Sequence, residues 1–72
     1  MTDRCICEDY ELRGHTYEVW YDGTWSGGGY PNWWLQGGHK PGWVLTEHDF
    51  DPELTEKEIT AISELAHGRL AG

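Results

Sequence analysis

Positive charge is what this sequence has least of. Five Lys and Arg stand against thirteen Asp and Glu, a formal net charge of -8 over 72 residues. Binding to phosphates needs a concentrated set of Lys or Arg, so this balance opposes direct contact with nucleic acid and with anionic membranes. No stretch approaches the roughly 18 apolar residues of a membrane span. No basic segment followed by an apolar run opens the sequence, so no secretory leader is read and a cytoplasmic location is expected. Cysteine is equally scarce: Cys5 and Cys7 are the only pair, and a bridge between them would close almost no loop, which excludes a disulfide framework. Phosphate-cradling motifs are missing as well. Gly27-Gly28-Gly29 and Gly37-Gly38 lack both the Lys-Ser/Thr of a P-loop and a dinucleotide-binding spacing. Ser26 and Ser63 have no nucleophile-elbow context, and the spacing of His15, His39, His48 and His67 specifies no catalytic pair. Neither an enzyme nor a cofactor is therefore expected.

What is abundant is aromatic surface. Five Trp, four Tyr and one Phe sit in a chain with 38% hydrophobic residues and a mean hydropathy of -0.71. A chain of this length makes one domain (residues 1–72) with one modest core, near the size at which stability becomes marginal. Such a core cannot hide every aromatic. Some are expected on the surface beside negative charge, and a homo-oligomer would give them a buried place.

Residues 4–46 read as β-rich. Tyr10 and Leu12 alternate before a turn at Arg13-Gly14-His15; Tyr17, Val19 and Tyr21 then share one strand face, with Glu18 and Trp20 on the other. Asp22-Gly23 is the strongest short hairpin signal, because Gly tolerates the positive φ of a type I′ turn, so Thr24-Trp25 would begin a brief returning strand. Seven of the ten Gly fall in the loop-rich stretch 22–42, with Asn32-Trp33-Trp34-Leu35-Gln36 set inside it as a short strand. Trp43-Val44-Leu45-Thr46 reads as another strand, with Trp43 in the core. A helix is expected over about 55–70. Thr55 and Glu58 form a capping box, Leu54 and Ile59 a hydrophobic staple, and Ile59, Ile62, Leu65, Ala66 and Leu70 an apolar stripe. Asp51 as N-cap with Pro52 at N1 would start it one turn earlier. The sum is a small α+β fold, three or four short antiparallel strands packed against one C-terminal amphipathic helix.

Three constellations bear on function. The first is acidic: Glu47, Asp49, Asp51, Glu53, Glu56 and Glu58, six carboxylates within twelve residues. On an extended backbone, alternate residues fall about 6–7 Å apart, close to the phosphate repeat of a nucleic acid. Asp49-x-Asp51-x-Glu53 lacks the Gly and the twelfth-position Glu of a calcium loop. The second is aromatic: Trp25, Tyr30, Trp33 and Trp34. Adjacent Trp33 and Trp34 cannot both face inward on a strand, and an outward Trp is a good interface anchor. The third is Cys5-x-Cys7, whose thiols would share a strand face and, with His15, His39 or His48, supply ligands to a structural zinc.

The expectation drawn from these residues is a small acidic regulator or inhibitor. Its partner is a protein with a basic surface, such as that of a nucleic-acid-binding protein. The six carboxylates would steer the encounter and the aromatics would anchor it. The alternatives are a zinc-binding module built on Cys5 and Cys7 and a small carbohydrate- or ligand-binding domain using exposed Trp.

Overall fold

A computed structural model of the chain describes residues 3–25, 27–37 and 40–71, and for residues 40–43 the backbone alone. Strands β1 (Arg4–Leu12), β2 (His15–Tyr21), β3 (Trp33–Gly37) and β4 (Lys40–Leu45) form one antiparallel sheet in the order β1-β2-β3-β4. A 3-10 turn at Glu47–Asp49 leads to the helix α1 (Glu56–Ala71). This is the α+β architecture expected from the sequence, with four strands.

The tight hairpin lies at Arg13-Gly14. Leu12 pairs with His15, and both intervening residues have positive φ, 52° and 82°, the type I′ geometry that follows the twist of the strands. Gly14 adopts this freely, whereas Arg13 must be held there. The stronger sequence signal, Asp22-Gly23, makes a turn but no hairpin. The Asp22 carboxylate accepts hydrogen bonds from the Thr24 N–H (2.9 Å) and hydroxyl (2.6 Å), so local side-chain bonding competes with strand pairing. The chain therefore returns only at Trp33, and Thr24-Trp25 belongs to the loop 22–32 rather than to a strand.

Helix α1 starts as its sequence dictates. The Thr55 hydroxyl accepts from the Glu58 N–H (3.2 Å), and the Glu58 carboxylate accepts from the Thr55 N–H (2.8 Å). These reciprocal bonds close the capping box and satisfy two otherwise orphaned donors. Leu54, just before it, is buried, and Ile59 packs against the core. The apolar stripe falls on the sheet: Ile62 and Ala66 have 0% exposure, and Ile59, Leu65 and Leu70 pack at the margin. From the strands, Cys7, Tyr17, Val19, Leu35 and Leu45 meet this stripe. Full burial of an Ile or Leu stabilises by about 1.5–3 kcal/mol, so Ile62, Val19 and Leu35 dominate a core this small. The segment between β4 and α1 also covers the inner face, with Phe50 edge-on to Tyr17 at 5.7 Å. The side chain of Trp43, expected in the core, lies outside the described residues, as do Ser26 and His39.

Candidate partner-binding surfaces

The acidic connection is organised by one cation. Arg13, at the hairpin tip, places its guanidinium over the Phe50 ring, 5.7 Å from the centroid. Its Nε and Nη2 donate to the two Glu58 carboxylate oxygens at 2.9 and 2.8 Å. It also donates to the main-chain carbonyls of Pro52 and Glu53. A planar fork of five donors is the side chain that can bind a carboxylate and two carbonyls at once. Arg13 thus ties together the hairpin, the connection and the first turn of α1. Its hydrogen bonds and the Thr55 N–H hold the Glu58 carboxyl down at about 2.

The extended acidic ladder does not form. Glu47–Asp49 is a 3-10 turn, which advances about 2 Å per residue and cannot keep the phosphate-like spacing. Asp49 turns back to accept from the Thr46 N–H (2.7 Å) and hydroxyl (2.8 Å), and these bonds hold its carboxyl below the ordinary range. The expected set therefore divides. Asp49 and Glu58 hold the scaffold. Glu47 and Glu53 approach the imidazole of His48 from either side, at 3.3 and 3.5 Å. Asp51 and Glu56 are exposed. Among the described residues, none of these last four has a Lys or Arg ion-pair partner. A recess of about 380 Å³ opens beside the connection, between Arg13, His15, Tyr17, Leu45, Phe50 and the carboxylates of Asp49 and Asp51.

The aromatic residues separate as the strand alternation requires. Trp33 pairs with Tyr21 and turns inward, its indole N–H donating to the buried Ser63 hydroxyl at 2.8 Å. Trp33 is thus part of the helix–sheet packing. Trp34 turns to the opposite, outer face, directly across from Trp20. The Trp34 indole N–H is shut from water and has no acceptor, an arrangement that costs about 1–3 kcal/mol. The Trp20 indole donates to Glu18 at 3.1 Å. Trp25 and Tyr30 lie on neither sheet face. They meet the imidazole of His67 on α1 edge-on, at 5.3 and 5.9 Å, and Trp25 donates to the Gly28 carbonyl within its own loop. Tyr30 is 56% exposed. Trp20 and Glu18 were legible as outward residues of β2, but nothing in the sequence paired Trp20 with Trp34. Nor did any local signal announce the role of Arg13.

The two thiols do not share a face. A register shift between Cys5 and Cys7 sets Cys5 opposite Trp20 and Cys7 opposite Val19, because the extra residue of a bulge reverses the alternation. Cys7 is therefore a core residue, and Cys5 is half-buried on the outer face. Among the described residues no group of three or more His, Cys, Asp or Glu could hold a metal ion. The shared strand face on which the zinc arrangement of Cys5-x-Cys7 was expected is therefore absent, although both residues border one recess at the β1 edge.

The fold and these surfaces define a four-stranded antiparallel sheet with one covering helix, acidic on its connection and aromatic on its uncovered face. Compared with protein-family models, curated proteins and solved structures, the chain matches none. No helix among the described residues is long and apolar enough to cross a membrane.

Proposed function

We propose that this protein is a small acidic binding module that regulates or inhibits a partner protein through the partner's basic surface. The observation that carries the reading is the division of the connection carboxylates. Asp49 and Glu58 satisfy donors of the fold, while Glu47, Asp51, Glu53 and Glu56, on the connection that Arg13 holds and the helix start beside it, have no Lys or Arg ion-pair partner among the described residues. Pre-positioned charge of one sign raises encounter rate and selects against acidic partners. The grooves of nucleic-acid-binding proteins are surfaces of the complementary kind. The aromatic sheet face supplies apolar area where charge alone gives little affinity.

The test is capture of a stoichiometric partner by wild type and by a variant carrying Glu47→Gln, Asp51→Asn, Glu53→Gln and Glu56→Gln, followed by association rates for the purified pair. Neutralising these four leaves the scaffold carboxylates intact. The expected result is slower association for the variant and a flatter salt dependence between about 50 and 500 mM, where the screening length shortens from about 14 Å to about 4 Å. A partner whose association ignores both the substitutions and the salt refutes the electrostatic mode.

A further inference from the structure

Helix α1 and the connection cover one face of the sheet, and no described element covers the other. On that outer face Cys5, Trp20 and Trp34 are aligned across β1, β2 and β3, and Glu18, Gln36 and Val44 across β2, β3 and β4. Val44 is 53% exposed. Glu11 and Thr16 extend the polar end. Burial first, and then the nearby carboxylates of Glu18 and Glu8, push the Cys5 thiol up, which shows the acidic character of this side. Of the described Lys and Arg side chains, Arg69 of α1 alone comes near it, lining a recess with Cys5 and Glu8 at the β1 edge. Arg4 lies over Tyr21 on the inner side, Arg13 is bound to Glu58, and Lys57 belongs to α1.

We infer that the outer face is a docking surface for a short arginine-bearing segment of the partner protein, with guanidinium groups stacked on Trp20 and Trp34 and paired with Glu18. The proposal rests on the basic partner proposed above and adds a second contact on the opposite side of the sheet. Arginine is favoured over lysine because its planar, weakly hydrated cation can stack on an indole and bind a carboxylate together. Glu18 is placed for both: its Oε1 accepts the Trp20 indole N–H, which fixes the carboxylate at the ring edge.

Size and charge favour a segment over a second copy of this chain. Four strands at about 4.8 Å spacing and about five residues of length give a face of roughly 300 Å². A stable interface between folded proteins takes about 800 Å² from each side. Two copies would also bring together net charges of -8 each, with acids on both faces.

The experiment titrates nona-arginine, and separately nona-lysine, into ¹⁵N-labelled protein and follows the indole N–H and backbone amide resonances. The same titrations are run on Trp34→Leu and Trp20→Thr, each checked for fold by its amide spectrum. The expected result is saturable shifts at the Trp20 and Trp34 indoles and at Glu18 and Val44. Affinity should be about threefold or more higher for nona-arginine than for nona-lysine, a preference that both variants lose. Shifts confined to residues 47–56, with no preference for arginine, overturn this inference and leave the proposed function standing. Binding of neither peptide at any site counts against both. Shifts of Trp20 and Trp34 that depend on protein concentration without peptide overturn it in favour of self-association.

Discussion

Glu58→Gln isolates the charge that holds the connection to the hairpin. The Glu58 carboxylate receives two N–H groups of Arg13 and the N–H of Thr55, which lower its pKa from 4.5 to about 2. Unfolding restores the ordinary value, so the unfolded chain binds more protons than the folded one between these limits. The stabilisation from Glu58 is complete above about pH 4.5 and disappears as pH falls through about 2. Midway, near pH 3.2, the unfolded carboxyl holds about 0.95 proton and the folded one about 0.05, a linkage of about 0.9 proton. The two side chains keep 28% and 22% of their surface exposed, so solvent screens the pair; a shift of half the size still leaves about 0.6 proton.

Gln at this position preserves size and can still accept the Thr55 N–H through its amide oxygen. The substitution therefore removes charge without removing the cap. Urea unfolding midpoints measured in steps from pH 6 to pH 2.5 should show a steeper acid loss for wild type than for the variant. The difference should appear below about pH 4.5 and amount to 0.6–0.9 proton at its largest, roughly, by linkage. Contributions from Asp49 and the other carboxylates remain in both proteins and cancel in the comparison. Parallel curves through this range would refute the Arg13–Glu58 pairing.

Two further outcomes follow from the packing. Ser63→Ala should leave the Trp33 indole N–H without its 2.8 Å acceptor, and in a double-mutant cycle with Trp33→Phe the coupling should be about 1 kcal/mol. For a domain this size that is about 4–8 °C in Tm, and strict additivity would refute the contact. Native-state alkylation with iodoacetamide, read by peptide mass spectrometry, should modify Cys5 before Cys7, because Cys7 is 8% exposed within the core. Equal rates would contradict the register reversal in β1.

The elements legible in the sequence are those set by local chemistry. Thr55, Glu58, Leu54 and Ile59 lie close together in sequence, the capping box forms as the pattern indicates, and Leu54 and Ile59 both join the core. The opposed directions of Trp33 and Trp34 follow from strand geometry alone. The turn expected at Arg13-Gly14-His15 forms, but Asp22-Gly23, the stronger hairpin dipeptide, is not followed by the returning strand expected at Thr24-Trp25. The deciding influence is distant, since Arg13 is held at positive φ while its guanidinium binds Glu58, 45 residues away. The bulge that separates Cys5 from Cys7 has no residue signature either. Counting by two along β1 gives one face for both thiols, and only the register with β2 shows the reversal. The same limit applied to the acidic run, whose alternate spacing suggested an extended ladder until Asp49 was found bound to Thr46.

The division among the carboxylates explains how so acidic a chain keeps a defined shape. Asp22, Asp49 and Glu58 each accept a backbone N–H close in sequence, from Thr24, Thr46 and Thr55. All three are held below their ordinary pKa range by hydrogen bonds, with Thr24, Thr46 and Arg13 the leading donors. Negative charge at these positions stabilises turns and a helix start instead of opposing the fold. Substitutions there therefore report on stability before they report on binding. Asp51, exposed on the connection and without a Lys or Arg ion-pair partner among the described residues, is different, because replacing it removes repulsion as well as charge. Asp51→Asn should be neutral or mildly stabilising in the isolated protein, as read by its urea midpoint.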